Sequence, residues 1–171
     1  MLKNLSFTRI ISLIVFLIAT GVYLFSVERT GSLWDCGEFI LGAYKMQVVH
    51  PPGAPMFLLV GRIFALFGDL TSSDPSNIAF AVNFMNGMLS AMVATFVASI
   101  TMMLTRYLNL ADEEGLSYKI QVGGAGLAAG LATAFCSTVW FSAVEGEVYA
   151  MSTFFTALTF WAVVKLSLIH I

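Results

Sequence analysis

Four long uncharged stretches, separated by polar segments, dominate the pattern of hydrophobic and polar positions. They cover residues 10–27, 80–104, 121–141 and 148–164 and contain no Asp, Glu, Lys or Arg. An α-helix rises about 1.5 Å per residue, so each stretch approaches the roughly 30 Å hydrocarbon thickness of a bilayer. The pattern therefore predicts an all-α polytopic membrane protein with four transmembrane helices.

Local signals refine this prediction. Asp74 is suited to cap a helix that starts at Pro75, because Asp accepts hydrogen bonds from first-turn amides and Pro fits the first helical position. Small side chains at helical spacing in the second and third spans predict close helix contacts in lipid. They are Ser90, Ala94, Ala98, Gly126 and Gly130.

A fifth apolar stretch, residues 56–67, is about 18 Å long by helical rise, and Arg62 interrupts it. Pro51, Pro52 and Pro55 limit its extension toward the N-terminus. We therefore predict an amphipathic or re-entrant helix here rather than a span.

Positive charges test this topology, since Lys and Arg in short loops favour the cytoplasmic side. With four spans, one side receives Lys3, Arg9, Arg106, Lys119 and Lys165, together with the connection that contains Asp112, Glu113 and Glu114. A fifth span would move Arg106 and Lys119 outside. The prediction is a cytoplasmic N-terminus, with residues 28–79 and the turn at residues 145–147 on the outer face.

Composition excludes several classes of protein. Hydrophobic residues make up 58% and charged residues 11% of the 171 positions, and the mean hydropathy is +0.88. That leaves too little charge to coat a water-facing surface, and a net charge of −2 gives no basic footprint for nucleic acid. Two cysteines without CxxC spacing, and His50 and His170 without HxxxH spacing, predict no disulfide framework, no metal and no cofactor.

Candidate chemistry lies in the acidic residues of the predicted outer face. Asp35 and Glu38 are three residues apart and would share one helix face. Glu145 and Glu147 precede the fourth span. Two carboxylates together at a membrane boundary raise the pKa of at least one of them through repulsion and desolvation, which suits acid–base catalysis near neutral pH.

Structural roles are the alternative. Ser32 with Asp35, and Ser142 with Glu145, have the spacing of helix-start signatures. On that interpretation the protein is a non-catalytic membrane scaffold, and His50 is a hydrogen-bonding loop residue. A transporter or channel subunit, with the acids as cation or proton sites, is a further alternative. Transport sites usually lie near the bilayer midplane, whereas these acids cluster at one surface.

Three motifs carry a family resemblance: Trp34–Phe39, Val49–Pro55 and Phe141–Ala150. In this order they resemble the membrane family called domain of unknown function 2723, which is similar to transmembrane protein 260 and the protein O-mannosyltransferases. The resemblance extends over nearly the whole chain. It implies a C-type glycosyltransferase fold and a multi-pass protein of the cell inner membrane that uses a polyprenyl-phosphate sugar donor.

The resemblance also implies site residues. The catalytic candidates are Asp35, Glu38, Glu147 and Glu145, and the substrate-binding candidates are His50, Lys45, Arg62, Trp34 and Tyr149. Asp35 would act as general base on a Ser or Thr hydroxyl, and a cation would stabilise the departing lipid phosphate. Whereas O-mannosyltransferases place Asp and Glu side by side, Cys36 and Gly37 separate them here, which leaves open whether Asp35 or Glu38 is the base.

Residues 166–171 match one reading frame of a transposon-end sequencing adapter, so we interpret them as a non-native tail. Enzymes of this fold usually have many more spans. Residues 1–165 are therefore interpreted as the N-terminal transmembrane part of a longer glycosyltransferase, inactive alone. The expected partners are membrane lipid, the polyprenyl-phosphate sugar, an acceptor protein and the remainder of its own chain, and not nucleic acid.

Overall fold

The structure is a computed structural model that describes residues 2–32, 34–71, 74–108 and 115–170, without the side chains of residues 2–6 and 169–170. Its helices are α1 (Leu2–Ser26), α2 (Cys36–Lys45), α3 (Pro55–Thr71), α4 (Pro75–Tyr107), α5 (Gly115–Phe135), α6 (Ser137–Val144) and α7 (Tyr149–His170). Since no strand occurs in these ranges, the predicted all-α class is confirmed. The predicted acidic connection with Asp112, Glu113 and Glu114 lies outside the described residues, as do the side chains of Lys3 and His170.

Within the described ranges, three helices are long and apolar enough to cross a membrane: Phe7–Ser26, Pro75–Tyr107 and Tyr149–Leu168. The third predicted stretch is not one continuous helix: it is interrupted at Cys136, and α5 and α6 qualify together as one broken span. With 17 residues, α3 is shorter than the roughly 20 that usually cross a bilayer. These lengths support an all-α polytopic membrane protein with three or four spans.

The chain divides into two compact units, and the first comprises Met1–Ala19, Ala91–Cys136 and Thr153–Ile171. In it, a Cβ added at Gly130 would lie 2.9 Å from the Cβ of Ala98, and one added at Gly126 would lie 2.6 Å from Cγ of Met102. Glycine is therefore what allows α5 to approach α4 this closely. The predicted packing of small residues is confirmed within this unit.

The second unit comprises Thr20–Ser90 and Ser137–Ser152 and contains all the acidic motifs. In its core α2, α3 and the first half of α4 share a buried apolar cluster that includes Phe39, Phe57 and Val82. The predicted start of α4 is confirmed, because the backbone N–H of Ser76 donates to Asp74 Oδ1 at 2.9 Å. This cap and this cluster fix the helices on which the site is built.

Candidate functional site

Asp35 occupies the N-cap of α2, but its side chain makes no capping hydrogen bond. The prediction that Ser32 starts this helix is wrong. Trp34 has φ 62°, a left-handed conformation that a helix cannot contain, so α2 begins only at Cys36. Freed from a structural task in the first turn, the Asp35 carboxylate is available for chemistry.

Glu38 and His50 form a tight pair beside Asp35. The backbone N–H of His50 donates to Glu38 Oε1 at 2.7 Å, and His50 Nδ1 lies 2.9 Å from Glu38 Oε2. The His50 ring also reaches toward Asp35, with Nε2 3.7 Å from Oδ2. His50 thus lies between two carboxylates, and its hydrogen bonds are with Glu38, because its contact with Asp35 is longer.

This pairing shifts the pKa of both partners. The side-chain hydrogen bond is the largest cause, and it lowers the pKa of Glu38 below 4.5 and raises the pKa of His50 above 6.5. A depressed carboxylate pKa means that the pair is lost only in more acidic solution, and a raised imidazole pKa means that it is lost only in more basic solution. The pairing therefore widens the pH range over which Glu38 is ionised while His50 is protonated.

The second acidic turn, Glu145-Gly146-Glu147, connects α6 to α7 and meets the first motif. The backbone N–H of Asp35 donates to the Glu147 carboxylate. Burial raises the pKa of Glu147, and the nearby charges of Glu145 and Asp35 raise it further. The structure therefore brings Asp35, Glu38, His50 and Glu147 together from three segments of the chain.

The predicted capping role of Ser142 is also wrong. Ser142 lies inside α6, where its hydroxyl donates to the Thr138 carbonyl at 3.0 Å. The helix continues to Val144, and α7 begins only at Tyr149. Glu145 and Glu147 thus belong to a connecting turn, outside both helices.

Two buried asparagines, which the sequence interpretation missed, hold both acidic segments. Asn86 Nδ2 donates to the carbonyls of Glu145 and Glu147, each at 2.6 Å. One turn earlier on α4, Asn83 Nδ2 donates to the carbonyls of Glu28 and Thr30, at 2.9 and 3.2 Å. The sequence did contain a signal for them, namely two side-chain amides three residues apart in the uncharged stretch 80–104. Polar groups inside such helices need hydrogen-bond partners, and this spacing places both amides on one helix face.

Cys36 completes this connection from the first motif. Its thiol is fully buried, accepts the backbone N–H of Gly146 at 3.1 Å, and lies 3.6 Å from Asn83 Oδ1 as a donor. Both Cys36 and Cys136 are free thiols. One of the two residues that separate Asp35 from Glu38 in the sequence thus joins the two acidic motifs. We call Cys36, Asn83, Asn86 and Gly146 the polar clamp.

We expect the clamp to tolerate no side chain at Gly146. A Cβ there would lie 2.5 Å from Asn83 Oδ1 and 3.2 Å from Cγ1 of Ile40. Asn83 cannot rotate away without losing its two hydrogen bonds, so Gly146→Ala should destabilise the full-length protein by about 1–3 kcal/mol. Thermal unfolding in detergent measures this, with Gly21→Ala as the control because nothing lies within 4 Å of its added Cβ. Equal unfolding temperatures for the two variants would contradict the clamp.

The cationic candidates lie at the other end of α2. Lys45 Nζ is 4.8 Å from the centroid of the Tyr44 ring, and the Arg62 guanidinium is 5.5 Å from it and donates to the Tyr44 carbonyl. Lys45 lines a cavity of about 560 Å³ together with Arg29 and Gly37. The first-motif carboxylates and Lys45 therefore lie at opposite ends of α2, and Arg62 of α3 lies beside the Lys45 end.

The aromatic candidates flank the carboxylates along the chain. Trp34 directly precedes Asp35 and is 87% exposed, and Tyr149 follows Glu147 by two residues and is 62% exposed. Each presents an accessible ring beside an acidic motif, where it could stack on a substrate. Their role in substrate binding stays a prediction.

Asp35, Glu38 and His50 are the residues that would hold a metal ion if the site takes one. One ligand atom from each lies within 4.8 Å of the other two. Their side chains are about half-exposed, and Glu38 and His50 already satisfy each other. The expected absence of a metal stays a prediction.

Comparisons with known proteins point in one direction. Residues 35–170 match the family model described as the protein O-mannosyl-transferase TMEM260 N-terminal domain. The chain is 28% identical over 145 residues to the protein O-mannosyl-transferase tmem260 of Dictyostelium discoideum, which covers 85% of this chain and 16% of that protein. It is 26% identical over 147 residues to the protein O-mannosyl-transferase TMEM260 of Mus musculus, covering 86% and 18%. The chain thus spans about a sixth of the length of these relatives, and no solved structure matches it.

Proposed function

Because this chain belongs to the family of the protein O-mannosyl-transferase TMEM260 N-terminal domain, we propose that it carries the catalytic carboxylates of a membrane glycosyltransferase. The proposed reaction moves a mannosyl unit from a polyprenyl-phosphate donor to a Ser or Thr hydroxyl of an acceptor protein on the outer face of the membrane. The observation that supports this most directly is the convergence of Asp35, Glu38, His50 and Glu147.

In the proposed step, the Asp35 carboxylate removes the proton from the acceptor hydroxyl. The hydroxyl oxygen attacks the anomeric carbon of the sugar from the face opposite the phosphate. The new glycosidic C–O bond forms as the bond to the phosphate oxygen breaks, so the lipid phosphate leaves with the electron pair and the configuration inverts. General-base catalysis of this kind contributes a factor of about 10²–10⁴.

Asp35 is a better candidate for the base than Glu38. Both Glu38 oxygens accept hydrogen bonds from His50, and its pKa is lowered, which weakens it as a base. Asp35 makes no capping bond and its contact with His50 is longer, at 3.7 Å. We assign Glu38 and His50 to positioning, since the hydrogen bonds of Glu38 hold the His50 ring beside the Asp35 carboxylate.

Glu147 has a different role in this proposal. Because burial and the neighbouring charges raise its pKa, Glu147 takes up a proton at higher pH than an ordinary glutamate, and in that protonated form it donates a hydrogen bond to a sugar or acceptor oxygen. Glu145 contributes by raising that pKa through its charge. One carboxylate that accepts a proton beside another that donates a hydrogen bond is a familiar division of labour in glycosyl chemistry.

Lys45 and Arg29 are the proposed partners of the donor phosphate. Both line the cavity that Gly37 borders, and Gly37 lies between Asp35 and Glu38 in the sequence. A cation near the phosphoryl oxygens would stabilise the charge that develops as the phosphate leaves. Arg62 supports this arrangement indirectly, through its contacts with Tyr44.

The geometry supports the two alternatives less well. A scaffold that uses its acids as helix caps is disfavoured, because the Asp35 side chain makes no capping bond and Glu145 lies four residues before α7 begins. A transport site would place charge inside the spans, yet the buried polar side chains of the described residues are the neutral Asn83, Asn86 and Ser90.

Transfer to a peptide tests the proposed function. We expect the full-length protein in membranes to move label from a polyprenyl-phosphate mannose onto a Ser/Thr peptide, because the carboxylates activate a hydroxyl and the cations accept a lipid phosphate. Radiolabel recovered with the peptide is the measurement, and a peptide with Ala in place of Ser and Thr is the control. Labelling of the Ala peptide, or transfer only from a nucleotide-activated mannose, would refute the proposed reaction.

A further inference from the structure

The first compact unit contains a groove that the proposed chemistry does not use. Its volume is about 730 Å³, within the usual range of ligand sites. Residues from α1, α4 and α7 line it, and the end of the groove at the N-terminus of α1 carries Arg9, Arg106 and Lys165. Each helix thus contributes one cation to a single cavity.

All the charged residues that line this groove are positive, since none of its described lining residues is acidic. Like charges that face one cavity repel one another, and an anion between them removes that cost. The preference of Lys and Arg for the cytoplasmic side explains cations at span ends in general, but it does not explain why three of them line the same groove.

The rest of the lining carries no charge and combines hydroxyl side chains with the aromatic rings of Phe96 and Trp161. Trp161 Nε1 donates to Ser99 Oγ at 3.0 Å, and its ring lies 5.5 Å from that of Phe96. Lys165 Nζ lies 4.6 Å above the Trp161 ring. Cations at one end and aromatic rings along the side match the headgroup and the acyl chains of a phospholipid.

We propose that this groove binds an anionic phospholipid. Its phosphate would lie among Arg9, Arg106 and Lys165, and its acyl chains along Phe96 and Trp161. The position of the three cations along the membrane normal supports a lipid phosphate over a soluble phosphate. Arg9, Arg106 and Lys165 lie within one turn of the ends of the apolar spans Phe7–Ser26, Pro75–Tyr107 and Tyr149–Leu168, at the level of lipid headgroups.

Quenching by brominated lipids tests this site. The full-length protein is placed in nanodiscs of phosphatidylcholine that contain a minor fraction of either dibrominated phosphatidylglycerol or dibrominated phosphatidylcholine. The signal of Trp161 is the fluorescence difference between the protein and its Trp161→Phe variant. We expect phosphatidylglycerol to quench this signal more strongly, and each neutralisation among Arg9→Gln, Arg106→Gln and Lys165→Gln to weaken its apparent affinity roughly fivefold.

Controls separate the site from bulk electrostatics. Lys119→Gln removes an exposed charge from α5 that does not line the groove, so the preference should persist. Arg106→Lys keeps the charge and should also retain the preference, which guards against a folding defect in Arg106→Gln. Equal quenching by both lipids, loss of the preference in Lys119→Gln, or displacement of the lipid by glycerol phosphate at constant ionic strength would overturn the proposal.

Discussion

Replacement of Asp35 by Asn in the full-length protein is expected to abolish mannosyl transfer, with a loss of about 10²–10⁴-fold in rate. Asn has nearly the same shape but cannot accept the acceptor's proton. Folding should be unaffected, because the Asp35 side chain makes no capping bond and is about half-exposed. The measurement is the initial rate of transfer to a Ser/Thr peptide, alongside the thermal unfolding temperature.

Two other variants test whether the loss of transfer is specific to the Asp35 carboxylate. Glu28→Gln removes one negative charge from an exposed position before the same loop and should transfer at nearly the normal rate. Glu38→Gln should lose less activity than Asp35→Asn, since Glu38 acts through its contacts with His50. A larger loss in Glu38→Gln than in Asp35→Asn would move the base to Glu38.

Features of the fold that depend on local sequence were predictable. Asp74 and Pro75 mark the start of α4 because capping needs only a side chain and its neighbouring amides. Gly130 meets Ala98 because small residues at helical spacing leave a flat surface against which another helix can pack. These rules act over a few residues, so one sequence is enough to apply them.

Features set by tertiary packing were not predictable. The start of α2 depends on the left-handed backbone of Trp34, which no residue pattern announces in a non-glycine residue. The interruption at Cys136 falls within an uncharged stretch that reads as continuous helix. In both cases the surrounding structure overrides the local preference for helix.

The candidate site divides in the same way. Membrane topology was sufficient to predict that Asp35 and Glu147 come together, because each lies at the end of a span on the same predicted side. The hydrogen-bond partners that hold the acidic residues in place could not be predicted from the sequence. The pairing of Glu38 with His50 depends on a loop conformation, and the contacts of Asn86 link residues about sixty positions apart.

The polar clamp therefore yields the prediction that tests the structure most directly. Asn86→Leu keeps the number and branching of the side-chain heavy atoms but removes both hydrogen bonds to the carbonyls of Glu145 and Glu147. Losing two buried hydrogen bonds and leaving their acceptors unpaired should cost about 2–4 kcal/mol. The turn should then open far more often, and with it the contact of Gly146 with the Cys36 thiol.

Thiol labelling reads out this opening without relying on activity. Cys36 is fully buried, so a maleimide should modify it only slowly, and labelling of the same protein after denaturation serves as the reference. In Asn86→Leu we expect Cys36 to react roughly 30–10³-fold faster than in the unaltered protein, the factor that corresponds to the lost stability if labelling follows local opening. Mass spectrometry of the peptide that contains Cys36 gives the extent of labelling.

A matched change on the same helix separates the clamp from a general weakening of α4. Thr101→Val removes a hydroxyl that donates only within the helix, to the Val97 carbonyl at 2.9 Å, and should leave the labelling rate of Cys36 unchanged. Transfer should fall in Asn86→Leu and persist in Thr101→Val, because only the former releases Glu147 from its place beside Asp35. If Cys36 stays protected in Asn86→Leu, the acidic turn does not depend on α4, and the carboxylates must be held together by some other contact.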